Sequence, residues 1–313
     1  MNIIVKADKA NLHRQPDREG LMLSVANVIG SRTPYFSHLI EPALPEFLET
    51  ATCIYFDGVA PEFRALGMLD LVENWFAKYE SKPKVVLVAS AGKSPRYTLK
   101  SMRSAAENDA AFRGSFDTIQ FFPKGRTTID DTWRPSVYFA FARERQQSAF
   151  FCVNRVLNSD ALWSLLQQGH ELFRACATYG FWFPERFSPL GYYWGISVEP
   201  GRRHGAWGKQ ESRRLSHWRD NTSIGISSDG GRRFFGACDG YVRDAYPLML
   251  LSRKHVMRRV GRSTLAGAIE EQNLGSLTKE GEKFLWRIPT EKLADAQKML
   301  DGSDVSLSGR RFE

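Results

Sequence analysis

The sequence predicts an α+β protein of mixed or antiparallel sheets with packed helices. Three observations carry that expectation. Short apolar runs with strand character recur at Cys53–Asp57, Lys84–Ala89, Ser136–Ala142, Ser148–Asn154 and Lys283–Ile288. Segments with apolar residues at three- and four-residue steps alternate with them, which is the spacing of a one-faced helix. Of the 39 aromatic residues, 16 fall between Trp133 and Val198, which places the centre of the main core there. A chain of 313 residues buries a sizeable core without staples. Its composition, 42% hydrophobic and 25% charged, excludes disordered, collagen-like and coiled-coil classes.

The elements follow in order. Asn2–Ala7 reads as a strand and Asp8–Gly20 as a polar turn region. Cys53–Asp57 is a short strand closed by Asp-Gly. Glu62–Tyr79 follows Pro61 and repeats Phe63, Leu66, Leu69, Val72, Phe76 and Tyr79 on one helical face. Lys84–Ala89 is a buried strand, and strand–helix–strand suggests a mixed sheet covered by the helix. Ser136–Ala142 and Ser148–Asn154 are joined by a link of hairpin length. A second helix starts at Ser159 as N-cap and buries Leu162, Leu165, Leu166, Phe173 and Cys176. Gly180 is then its C′ residue. Residues 202–240, rich in Gly, Ser, Arg and Trp, read as irregular loops around short strands. Ser263–Asn273 is a helix, Lys283–Ile288 a strand, and Thr290–Leu300 a helix capped by Thr290 and ended by Gly302. Val305–Leu307 is a final strand. The link around Gly114–Trp133 is the candidate boundary between an N-terminal region, 1–130, and a C-terminal region, 131–313, the alternative being one compact unit.

Charge is uneven. Arg202–Arg262 holds 14 Lys+Arg against 5 Asp+Glu, whereas the rest of the chain holds 29 against 30. The whole net charge of +8 therefore lies in one segment, which favours an anionic partner. The longest apolar stretches, such as Val85–Ala89, are far short of the roughly 20 residues of a membrane helix, so no membrane partner is expected. The N-terminus lacks the basic start and apolar run of a secretory signal. Cys53, Cys152, Cys176 and Cys238 have no metal-binding spacing and read as buried free thiols in a reducing cytoplasm.

Tests for chemistry give nothing specific. Gly92-Lys93-Ser94 follows a strand, but Leu87 stands where a phosphate loop needs its first glycine. The serine-nucleophile elbow, the zinc-peptidase helix, the dinucleotide fingerprint and the deaminase signature do not occur. His170 reads as a core histidine. Asp130-Asp131 and the group Asp229, Asp239 and Asp244 read as turn or surface acids. No catalytic residue, metal ligand or cofactor is expected, and the chain is not expected to be an enzyme.

The C-terminal third carries a motif order. Tyr241-Val242-Arg243-Asp244-Ala245-Tyr246-Pro247-Leu248 precedes Leu250-Leu251-Ser252, His255, Arg258-Arg259-Val260-Gly261 and Thr264-Leu265. Gly275-Ser276-Leu277 and Leu285-Trp286-Arg287-Ile288-Pro289 follow, then Ala294 and Leu300. With Tyr179-Gly180 and Tyr192–Ile196 upstream, this order resembles the immunity protein 52 type of bacterial polymorphic-toxin immunity proteins, over residues 135–302. The resemblance implies a non-enzymatic α+β protein that binds a cognate toxin in the cytoplasm, commonly a nuclease-type type VI secretion effector. On that reading, Arg202, Arg203, Lys209, Arg213, Arg214 and Arg219 pair with toxin carboxylates, and Trp207 and Trp218 anchor the interface. Charge attraction would speed capture. A basic inhibitor of a nuclease must aim at the acidic metal centre, bind outside the groove or disrupt assembly. The alternative is a nucleic-acid-binding protein using segment 202–262.

Overall fold

A computed structural model describes residues 50–60, 62–79, 81–89, 97–108, 112, 116, 118–123, 135–140, 147–153, 157–184, 192–193, 209–222, 225–226, 232–233 and 235–309. The expected Asn2–Ala7 strand and the Gly92-Lys93-Ser94 loop lie outside these residues. The first run of elements is β1 (Thr50–Asp57), α1 (Ala65–Ala77), β2 (Pro83–Ala89), α2 (Leu99–Ala105), β3 (Thr118–Pro123), β4 (Ser136–Ala140), β5 (Ser148–Val153), α3 (Ser159–Phe173) and β6 (Ala177–Pro184). There follow α4 (Lys209–Thr222), the short strands β7 (Gly225–Ile226) and β8 (Arg232–Arg233), and a 3₁₀ turn at Ala237–Asp239. The chain continues through β9 (Leu248–Ser252), α5 (Arg253–Val256), β10 (Arg259–Val260), β11 (Ser263–Thr264), α6 (Leu265–Glu271), β12 (Ser276–Glu280), β13 (Lys283–Arg287) and α7 (Leu293–Asp301).

Nine strands share one sheet in the order β12-β13-β9-β6-β1-β5-β4-β3-β2. Every neighbouring pair is antiparallel. The fold is α+β, and the mixed alternative for this sheet gives way to a fully antiparallel one. β1 and β2, which flank α1 in sequence, are separated in the sheet by β5, β4 and β3. β1 pairs with β5 on one side and β6 on the other, so strands from either side of residue 130 interleave.

Register explains the core. Side chains alternate faces along a strand, so residues in register form rows across the sheet. One row runs Trp286, Met249, Tyr179, Tyr55, Phe150 and Tyr138. It packs beneath Leu215 of α4, Val256 of α5, Ile269 of α6 and Leu300 of α7. The opposite row runs Leu285, Leu250, Thr178, Phe56, Ala149, Phe139 and Ile119. It packs beneath α1 through Met68, Leu69 and Val72, and beneath α3 through Leu162 and Leu166. The central strands therefore read as continuous apolar runs, because helices cover both faces. Of the aromatic window, the described residues Tyr138, Phe139, Phe150, Phe151, Tyr179 and Phe181 are core, divided between the two faces.

Local chemistry revises several boundaries. Asn158, not Ser159, caps α3, its side chain accepting the Ala161 N–H at 2.8 Å. That helix ends at Arg174 in the left-handed conformation, so Cys176 lies beyond it and Gly180 sits inside β6. α7 begins at Leu293 after a 3₁₀ turn over Thr290–Lys292, with no side-chain cap. The expected Val305–Leu307 strand reduces to a single bridge between Val242 and Ser306. Among the described residues, no helix is long and apolar enough to cross a membrane.

The cysteines divide. Cys53 and Cys152 are buried free thiols facing each other across β1 and β5, as expected. Cys176 and Cys238 form a disulfide, which corrects the expectation of four thiols. Bonds of this kind persist mainly in oxidising compartments, so cysteine usage no longer argues for a reducing one. The bond ties the start of β6 to the 3₁₀ turn before β9. It closes a loop across 62 positions of sequence.

Two stability predictions follow from this packing. Cys176→Ser should lower unfolding free energy by about 2–4 kcal/mol, and reductant should lower the wild-type melting temperature but not the variant's. Equal responses of both proteins to reductant would contradict the bond. Separately, a Cβ on Gly169 of α3 would stand 2.1 Å from Cζ of Phe56, whose ring is already held against Phe151 and Phe173. Gly169→Ala should therefore cost about 1–3 kcal/mol in urea denaturation despite alanine's better helix propensity.

Candidate functional site

The basic segment is the region singled out by charge, and Lys209–Thr222 within it form a helix rather than the expected loop. α4 carries few apolar residues, so its one-faced pattern is hidden. Its inward face is Arg214, Leu215, Trp218 and Asn221, at helical spacing. Three of these are polar or amphipathic, and each is used internally. Asn221 donates its amide to the Leu307 carbonyl at 2.8 Å. Arg214 is only 6% exposed and reaches the carboxylates of Asp244, at 2.5 Å, and Asp301. Trp218 is half-buried, with the Arg243 guanidinium 3.8 Å above its ring.

Of the residues expected to bind a toxin, Arg213 and Arg219 are exposed on the outer side of α4. Arg214 and Trp218 face inward, because a charge and a large ring at those positions are needed to close the space under the helix. Lys209 begins α4. Arg202, Arg203 and Trp207 lie outside the described residues.

Beneath α4 is a buried polar network. Asp244 is fully buried and accepts from Arg214, from Tyr192 Oη at 2.7 Å and from Ser308 Oγ at 3.3 Å. Tyr192 also lies 2.5 Å from Tyr246 Oη. Arg243, equally buried, donates to the Tyr192 carbonyl and to the Tyr193 carbonyl at 3.3 Å. Its guanidinium is sandwiched between the rings of Tyr192 and Trp218. Buried charges persist when paired, and here Asp244 faces both guanidiniums, Arg214 at 2.5 Å and Arg243 at 3.9 Å. Asp301 is held above the usual carboxylate range by burial, with Arg214 opposing the shift. The arrangement joins α4, residues 192–193, the Tyr241–Tyr246 run and residues 306–308 into one layer. Tyr241–Tyr246 thus has a structural role, and Asp244 is no surface acid.

His170, half-buried, and His255, fully buried, are neutral supports. His170 holds Thr178 Oγ1 at 3.1 Å and is pushed down to about 4, by burial and then by Lys283. His255 is pushed down to about 3, chiefly by burial. Its Nδ1 accepts the Ser252 N–H at 3.2 Å and lies 2.8 Å from Ser252 Oγ. So weak a base does not activate a serine, and the pair acts as the cap of α5. Among the described residues, no group of three or more His, Cys, Asp or Glu is placed to hold a metal ion. A cleft of about 480 Å³ lies at the sheet's β9–β13 side, floored by Trp182, Leu248 and Ile288 and rimmed by Arg287 and Glu291.

Exposed cations also occur where no site residue was expected. Exposed Arg253, Lys254, Arg259 and Arg262 flank in sequence Met257, which is 54% exposed. Their signal was present in the charge count of segment 202–262. The exposure of Met257 was not legible from sequence, where a methionine reads as core.

No family model matches the chain, and no curated protein matches it. Among solved structures, it is similar to the Pseudomonas aeruginosa T6SS protein PA0821 at 10% identity and a TM-score of 0.43, over 82% of this chain and 73% of that one.

The network makes a differential prediction. Arg214→Ala leaves buried Asp244 without its cation and should cost about 3–5 kcal/mol. Arg213→Ala and Arg219→Ala should each stay within about 0.5 kcal/mol. Equal effects in urea melts would contradict the sorting of α4 into faces. The histidines add a pH dependence. Their folded values lie below the unfolded value near 6.5, so the folded state binds fewer protons. Their stabilising contribution is complete above about pH 6.5 and is lost as pH falls toward 4. His170→Gln should shallow the loss of stability between pH 7 and 4, and an unchanged slope would contradict this assignment.

Proposed function

We propose that this chain is an immunity protein that neutralises a cognate toxin, of the nuclease-type type VI effector class, by protein–protein contact that blocks its active site or its assembly. The observation that carries the reading is the division of the basic segment. Some of its arginines are neutralised inside by Asp244 and Asp301, while others, among them Arg213, Arg253, Arg259 and Arg262, stand outside on a braced scaffold. A scaffold that retains outward cations after satisfying its own acids is suited to capturing an acidic protein face. The motif order from Tyr241 to Leu300 supports the immunity reading. The same charge also favours a second reading, nucleic-acid binding through segment 202–262.

Co-expression with the product of the adjacent gene separates the two. The immunity reading expects a stable one-to-one complex by size exclusion with light scattering, and survival of cells that the toxin alone kills. Binding of DNA or RNA that weakens steeply with salt, with no protein complex, would replace it with the second reading.

A further inference from the structure

The exposed cations of α5 and the β10–β11 hairpin form a compact unit. In the ten residues Arg253–Arg262 there are five Lys or Arg and no Asp or Glu. The unit folds tightly. Arg259 pairs with Thr264 and Val260 with Ser263, leaving Gly261-Arg262 as a two-residue turn. Gly261 supplies the positive φ, 61°, that such a turn requires. Val260 points inward and packs on the core, so Arg259, its neighbour along the strand, points outward.

Part of the charge builds the platform. Arg258 lies 3.4 Å from the Tyr241 ring centroid and donates to the carbonyls of Asp239, at 2.8 Å, and Asp304, at 3.3 Å. Lys254 donates to the Cys238 carbonyl at 3.0 Å. Cys238 is itself fixed to β6 by the disulfide. The remaining cations, Arg253, Arg259 and Arg262, are exposed and have no ion pair among the described residues. Acids on neighbouring elements include Asp239, Asp304, Glu270 and Glu271, of which Glu271 accepts the Ser263 hydroxyl at 2.9 Å.

At the end of α5 stands Met257, the one large hydrophobic residue that is exposed among those described. An aliphatic thioether offers no flat ring on which a nucleobase stacks, but it fills irregular apolar pockets on proteins. Cations around one apolar anchor, on a platform that needs no further ordering, form the arrangement of an interface hot spot.

We infer that the knob Arg253–Arg262, centred on Met257, is the surface that docks an acidic protein face carrying an apolar pocket. The inference rests on the immunity reading and deepens it, since the toxin is then the partner. It moves the interface from the region Arg202–Arg219 to the hairpin after β9.

The test uses the full chain and the product of the adjacent gene, carried in a non-lethal variant as the toxin, titrated by calorimetry at low and moderate salt. Duplex DNA and vesicles of phosphatidylserine and phosphatidylcholine serve as competing probes. Two variants are compared with wild type: Met257→Asp with Arg259→Glu and Arg262→Glu, and Arg213→Glu with Arg219→Glu. All five positions are exposed, and unchanged melting temperatures would verify folding. The expected result is at least a 100-fold loss of toxin affinity in the first variant, less than fivefold in the second, and no vesicle binding. Wild-type binding lost only in the second variant overturns the inference and leaves the immunity reading standing. Binding of DNA or vesicles without toxin binding overturns both.

Discussion

Asp244 is the constraint on which the C-terminal layer depends. A carboxylate taken wholly out of water has to be paired, and its partners come from three separated stretches: Arg214 of α4, Tyr192, and Ser308 near the end of the described chain. Satisfying one buried charge therefore fixes where α4 lies over the sheet. It also decides which arginines remain outside, because the helical repeat that turns Arg214 inward turns Arg213 and Arg219 outward. Arg243, between two rings and under two carbonyls, closes the same layer from below. Structure and surface charge are two consequences of one pairing.

The opposite face of the sheet is held differently. Its contacts are apolar, with Phe56, Phe139, Phe151 and Phe173 packed edge to face beneath α1 and α3. Here shape matters more than charge, and Gly169 is required by the closeness of the Phe56 ring. A polar exception, Thr178, is matched by His170 from α3. The two layers thus reach the same end, a covered antiparallel sheet, by apolar packing on one side and by a mixed apolar and ionic network on the other.

These differences explain what sequence revealed. Elements whose burial is apolar were legible: Glu62–Tyr79 anticipated α1, the two runs after Ser136 gave β4 and β5, and Leu293, Ala296 and Leu300 marked α7. α4 was not, because Arg214 and Asn221 occupy inward positions that hydrophobic periodicity scores as exposed. The β12–β13 hairpin was half seen, since β12 is an edge strand of mostly exposed polar residues. The Cys176–Cys238 bond joins residues that sequence spacing did not suggest, and only the fold brings them together. For the candidate site, net charge pointed to a segment that holds exposed cations but could not distinguish buried Arg214 from exposed Arg213. It gave no hint that Met257 faces solvent.

The functional reading then turns on electrostatics placed on rigid supports. The cations of α5 and the β10–β11 hairpin stand on a turn secured by a disulfide, a cation–ring contact and backbone carbonyls, so little ordering remains to oppose association. Hydrogen–deuterium exchange with and without the inactivated toxin tests this account most directly. The account predicts slowed exchange in Arg253–Thr264 on complex formation, with α1 and α3 unaffected. Slowing confined to α1 and α3, with the hairpin unchanged, would contradict it.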